Sequence, residues 1–148
     1  MRAQRARDGL GQRRRPAGGE IDLGLVVQHQ LVLVERVLRH VPALPRLRLS
    51  SVDGVEIDDR LFALITGEPR VMPHVQLSLQ SGDDLILKRM KRRHSRAQAI
   101  ELVARMKAAR PEIAIGADII AGFPTEDEAS FASSLDIIDQ CDIVHGHI

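Results

Sequence analysis

The feature that most constrains the fold is the segment His74–Gln80, in which Val75, Leu77 and Leu79 alternate with Gln76, Ser78 and Gln80. A period of two puts the two sets on opposite faces of a β-strand. One face is therefore apolar and packs under helices, while the other is polar and ends in Gln80-Ser81-Gly82. A polar turn, Ser81–Asp84, follows the strand. Next come a basic helical segment (Leu85–Arg93), a second helix (Ser95–Ala109), a strand (Ile113–Ala121) and Gly122-Phe123-Pro124-Thr125-Glu126. Strands joined by helices imply parallel pairing with right-handed crossovers. In such α/β folds ligands sit at the C-terminal ends of the strands.

The flanking chain extends this order. Leu31–His40 has Val34, Val37, Leu38 and Val41 at helical spacing, and Pro42 and Pro45 stop it. Arg46–Ser51 reads as a short strand, and Glu56–Thr66 as a helix burying Ile57, Leu61, Leu64 and Ile65. Ser95-Arg96-Ala97-Gln98 is a capping-box pattern, as is Thr125-Glu126-Asp127-Glu128, which opens a helix to about Gln140 with Phe131, Leu135 and Ile138 as its stripe. Ile143–Ile148 is a last strand with no helix after it. Parallel strands are usually covered on both faces, so the sheet is expected to be incomplete at this end.

Composition narrows the function classes. A chain of 148 residues suits one domain, and 44% hydrophobic with 28% charged residues fits a soluble globular protein. Three Phe and no Trp or Tyr argue against a base-stacking single-strand binder. The lone cysteine excludes an internal disulfide, fits a reducing, cytoplasmic setting, and cannot by itself hold an iron–sulfur cluster. No apolar run is long enough to span a membrane, and no secretory signal is visible. Near the start, Arg2, Arg5, Arg7, Arg13, Arg14 and Arg15 face one acid, Asp8. Residues 1–30 are read as a disordered or mis-framed segment, with a nucleic-acid arm or transit peptide as the functional alternatives, and 31–148 as the folded unit.

Four constellations could carry chemistry. Gln80, Ser81 and Gly82 at a strand end could meet a polar ligand, or Ser81 could simply cap the next helix with Asp84. Gly116 and Gly122 flank Asp118, an acid that needs a partner in an apolar strand; glycine in a strand marks close approach of a ligand or backbone, or tight packing. Lys88, Arg89, Lys91, Arg92 and Arg93 form a basic run. Lys88/Arg92 and Arg89/Arg93 are expected to stack on one helix face, as an RNA-phosphate contact or as a solvated surface. His145 and His147 share one strand face, where alternate histidines could ligate a metal but are read as polar lining, with no metal site assigned. Cys141 reads as a small core residue.

Three stretches together resemble the radical S-adenosylmethionine methylthiotransferases: Pro45–Asp53, Met72–Arg93 with its Leu-Gln-Ser-Gly-Asp-Asp and Leu-Lys-Arg-Met-Lys-Arg-Arg runs, and Gly116–Glu126. The resemblance covers about Leu31–Ile148 and is nearest to the branch acting on tRNA threonylcarbamoyladenosine. It implies a partial parallel (β/α) barrel, incomplete at both ends. It also implies S-adenosylmethionine and a [4Fe-4S] cluster as cofactors, tRNA as partner with no DNA or membrane, and methylthiolation of the modified adenosine at tRNA position 37. By resemblance, Ser51, Gln80, Ser81, Gly116, Asp118, Gly122 and Glu126 border the S-adenosylmethionine pocket.

The family's Cys-x3-Cys-x2-Cys loop does not occur here, so no catalytic residue is assigned and the isolated chain is expected to be inactive. The alternatives are a non-catalytic RNA-binding module or a remnant without function. A phosphate-binding barrel enzyme is the third reading, but it lacks a recognisable phosphate loop. Exposed edges of a cut barrel invite self-association.

Overall fold

The computed structural model describes residues 23–148, with side chains from Gln30 onward. The Arg-rich start lies outside the described residues. The elements are α1 (Leu23–His40), β1 (Ser51–Val52), a 3-10 turn (Gly54–Glu56), α2 (Asp59–Gly67), β2 (His74–Gln80), α3 (Asp84–Arg89), α4 (Arg96–Ala109), β3 (Ala114–Ile119), α5 (Glu128–Gln140) and β4 (Ile143–His147). The four strands form one sheet in the order β1-β2-β3-β4, and every neighbouring pair is parallel. Chain order and sheet order coincide, as in one arc of a (β/α) barrel.

The period-two pattern of β2 sets the layering. Val75, Leu77 and Leu79 are buried beside Ile115, Ala117 and Ile119 of β3. Helices close over that face with Leu61 and Ile65 from α2, Ala99, Val103 and Met106 from α4, and Ile137 and Cys141 at α5. The opposite face carries Gln76, Gly116 and His145 in one row of partnered residues, and Asp118 with His147 in the next. Among the described residues, helices thus pack on the apolar side of the sheet.

Several local expectations change for identifiable reasons. α1 starts at Leu23, ahead of the predicted Leu31. The strand expected over Arg46–Ser51 shrinks to a Leu47–Val71 bridge and the two residues of β1. The helix expected from Glu56 starts at Asp59, because Asp58 caps it by accepting from the Leu61 N–H at 2.8 Å while Asp53 caps the separate 3-10 turn. Ser95 and Gln98 do form the predicted capping box.

For α5 the cap is Asp127, which accepts from Ser130 N–H at 2.8 Å; Thr125 lies outside the helix with φ of 86°. The buried face is Ser130, Ser134 and Ile137, whereas Phe131 and Leu135 are exposed. The cause is close approach. Ser134 Oγ takes the Gly82 N–H at 3.0 Å, and a Cβ on Gly82 would sit 2.3 Å from the Ser133 carbonyl oxygen. Only small residues fit at that contact, so serines face inward and the bulky apolar side chains face out.

Candidate functional site

The polar face is built around one carboxylate. Asp118 sits on β3 at the level of His147 on β4. Its Oδ2 accepts from Ser51 Oγ at 2.5 Å, and its Oδ1 accepts from Gln76 Nε2 at 2.8 Å and His147 Nδ1 at 3.1 Å. Ser51 Oγ also lies 2.7 Å from Ser78 Oγ. Four strands thereby contribute to one hydrogen-bonded cluster. The Ser51 hydroxyl is the main cause that holds the Asp118 carboxyl below the usual range, helped by Gln76 and His147 against the upward push of burial. Asp118 thus has the partner its apolar strand demands, and three of them.

Gly116 explains the row beneath. A Cβ there would fall 2.0 Å from Gln76 Oε1 and 3.1 Å from the His145 carbonyl oxygen. The glycine lets the buried Gln76 side chain cross β3 and reach Asp118. On the same face, His74 has a buried Nδ1 with no partner, and burial, then Arg48 and His145, push its imidazole pKa below the usual value.

The two turns at the strand ends are strained and tied down. Gln80 has φ of 69°, and its carbonyl accepts from Ile120 N–H at 2.9 Å. Gly122 has φ of 75°, and its N–H donates to Glu126 Oε2 at 2.6 Å. Glu126 Oε1 is buried without a partner. Arg89 Nη1 donates to the Thr125 carbonyl at 3.1 Å, clamping this loop to α3. Non-glycine residues at positive φ, above all the β-branched Thr125, cost about 1–3 kcal/mol each and collect at ligand sites.

The residues expected to border a pocket therefore divide. Ser51 and Asp118 meet directly, with Gly116 in the next row. Gln80, Gly122 and Glu126 line the turns beyond the strand ends. Ser81 is fully buried and faces α5, with its Oγ 3.2 Å from Ser134 Oγ. It also accepts from Asp83 N–H at 3.1 Å, whereas the cap of α3 is Asp83, not Ser81. Sequence reasoning passed over Ser78 and Gln76 as site members. Their place on the polar face of the period-two pattern was the signal that could have found them.

The basic run is likewise split. α3 ends at Arg89 and Lys91 has φ of 57°, so Lys88/Arg92 and Arg89/Arg93 do not stack on one helix as expected. Arg92 Nη2 donates to Asp53 Oδ2 and to the Ser78 carbonyl, both at 2.9 Å, and Arg93 Nη2 reaches Glu56 Oε1 at 3.3 Å. Burial would raise the Asp53 pKa, but the neighbouring His94 imidazole, its Nδ1 3.7 Å away, and Arg92 overcome it and hold it low. Lys88 and Lys91 are exposed and form no ion pair among the described residues. A cavity of about 240 Å³ opens between Gly54, Ser78, Leu79, His94 and Leu102.

Cys141 caps the end of α5 in the core, where burial pushes its thiol pKa up. A buried neutral thiol, alone, does not fit an iron–sulfur cluster, which is held by several thiolates. The polar face does fit S-adenosylmethionine. It offers hydroxyl, amide and carboxylate groups at the ends of the strands.

Among the described residues no helix is long and apolar enough to cross a membrane. A family model described as the radical SAM superfamily matches residues 18–138. The threonylcarbamoyladenosine tRNA methylthiotransferase of Rickettsia prowazekii is 53% identical over 116 residues, which is 78% of this chain and 28% of that protein. The tRNA-2-methylthio-N(6)-dimethylallyladenosine synthase of Acidithiobacillus ferrooxidans is 43% identical over 117 residues, covering 78% of this chain and 26% of its own length. The enzyme of the same name from Anaeromyxobacter sp. strain Fw109-5 is 42% identical over 100 residues, 68% of this chain and 22% of that protein. The chain thus spans about a quarter of the length of the curated relatives it matches.

Proposed function

The chain belongs to the radical SAM superfamily, and from that premise we propose that it is a barrel segment of a tRNA methylthiotransferase acting on threonylcarbamoyladenosine at position 37. Its polar sheet face holds part of S-adenosylmethionine. The observation that carries this reading is the Asp118 cluster, in which a carboxylate with three donors, one of them a Gln76 side chain admitted by Gly116, sits at the ends of parallel strands. Bound there, the cofactor would supply radical chemistry on receipt of an electron, which the one buried cysteine of this chain does not deliver.

The chain's own residues bind and orient. Asp118 and Ser51 present oxygens to ribose hydroxyls or to the amino-acid end. The 122–126 loop, pinned by Glu126 and Arg89, holds its strained geometry ready for the ligand and so lowers the ordering cost of binding. Because a single buried cysteine cannot anchor the cluster, we read these 148 residues alone as inactive in radical chemistry.

Tritiated S-adenosylmethionine or S-adenosylhomocysteine in equilibrium dialysis tests the cofactor reading. The chain is expected to bind, and Asp118→Ala or Gly116→Val to weaken binding at least about tenfold, the loss of one charge-assisted hydrogen bond or more. Equal binding by the parent and both variants would sink it. The partner reading assigns tRNA phosphates to the basic run Lys88, Arg89, Lys91, Arg92 and Arg93, with Lys88 and Lys91 as the groups free to reach them.

A further inference from the structure

The cofactor reading uses His147 only as a donor to Asp118, and leaves its other ring nitrogen and the whole of His145 unused. His145 and His147 project to the same side of β4, with their Nε2 atoms 3.1 Å apart and the ring centroids 4.8 Å apart, edge to face. The other ring nitrogen of His147, Nδ1, lies 3.1 Å from Asp118 Oδ1. A carboxylate only accepts, so Nδ1 carries the proton and Nε2 keeps its lone pair, turned toward His145. A carboxylate behind a histidine that presents its far nitrogen is the arrangement that orients imidazole ligands at metal centres.

We propose that His145 and His147 form a two-histidine site for a first-row divalent metal that imidazole favours, such as Zn2+ or Ni2+, with Asp118 fixing the His147 tautomer. Geometry supports the pair. A metal about 2.0–2.1 Å from both Nε2 atoms, themselves 3.1 Å apart, is seen at an N–metal–N angle of about 98°. That value lies between octahedral and tetrahedral angles. Among the described residues no three His, Cys, Asp or Glu converge on one point, so water or a bound ligand completes the shell. The His147 side chain is 66% exposed, which leaves an entry path and open coordination positions. Imidazole nitrogen suits zinc, copper and nickel over magnesium or calcium.

Without metal, the same separation is a hydrogen bond from His145 Nε2–H to the His147 Nε2 lone pair. Metal binding replaces it and moves the His145 proton to Nδ1. The test uses the untagged full chain titrated with Zn2+ against a chromophoric chelator, together with long-range 1H–15N spectra of the imidazoles. One equivalent is expected to bind and to be lost in His145→Ala and in His147→Ala, both exposed positions whose unchanged melting temperature confirms folding. Asp118→Asn is expected to weaken binding about 10–100-fold. His40→Ala, an exposed histidine at the end of α1, is expected to change nothing. In the metal-free spectrum, His147 should be protonated at Nδ1. An equivalent retained by the double alanine variant, no binding at all, or His147 protonated at Nε2 would each overturn the proposal. Because the probe is the metal alone, failure here leaves the S-adenosylmethionine reading standing.

Discussion

Replacing Gly82 by alanine should separate this sheet from α5. The added Cβ would lie 2.3 Å from the Ser133 carbonyl oxygen and 2.8 Å from Ile137 Cγ2. Ordinary contact begins about an ångström further out, and the obstacle is helix backbone, which cannot rotate away as a side-chain tip can. α5 must therefore retreat. Retreat stretches Gly82 N–H to Ser134 Oγ, at 3.0 Å, and Arg96 Nη1 to the Ser133 carbonyl, at 2.7 Å. It also loosens Ile137 and Cys141, both buried against the sheet.

Overpacking costs about 1–3 kcal/mol, and a weakened hydrogen bond to a charged group adds about 1.5–3 kcal/mol where it is lost outright. Because the two relax together, a net loss of about 2–4 kcal/mol is expected. Urea denaturation followed by circular dichroism measures it. With a slope of about 2 kcal/mol/M, the midpoint should fall by about 1–2 M with the slope unchanged. Gly67→Ala is the matched control. Nothing lies within 4 Å of its Cβ position at the end of α2, so stability should hold or rise by about 0.4–1 kcal/mol. Equal midpoints for Gly82→Ala and the parent would refute the close-approach argument and, with it, the explanation of why serines face inward on α5.

Other outcomes follow from the same contacts. Arg110 Nη1 bridges the Ile65 carbonyl at 2.7 Å and the Val71 carbonyl at 2.9 Å, so Arg110→Ala should cost about 2–4 kcal/mol in thermal or urea melts; a change under 0.5 kcal/mol would count against the bridge. For His74, burial first and then Arg48 and His145 depress the folded pKa, so the unfolded chain takes up its proton sooner as pH falls. Stability should therefore decline below about pH 6.5 toward the lowered folded value, and His74→Gln should flatten that part of the curve. Charge reversal of Lys88 and Lys91 should weaken tRNA binding and reduce its salt slope by about 2 without shifting the melting temperature. Arg92→Glu should instead lower the melting temperature, since Arg92 ties Asp53 to the Ser78 carbonyl. Unchanged tRNA affinity in the lysine variant would remove the partner reading.

How much was legible in the sequence depended on the range of the interaction. The alternation in His74–Gln80 settled the strand, its two faces and the apolar core, because side-chain direction along a strand is a local property. Ser95 and Gln98 settled a helix start in the same way, through bonds spanning three residues. The signature runs pointed to the radical SAM superfamily, which the family match bears out.

What the tertiary structure alone decided were the contacts between residues far apart in the chain. Asp118 meets Ser51 across 67 positions and His147 across 29, and no periodicity reports such a meeting. The inward face of α5 was set by a glycine 52 residues away rather than by its own apolar stripe. The basic run lost two of its five cations to Asp53 and Glu56, which lie on the loop after β1. Pattern along a strand thus fixes which way its side chains point. Which partner it finds there depends on parallel strand register, and register exists only once the sheet has formed.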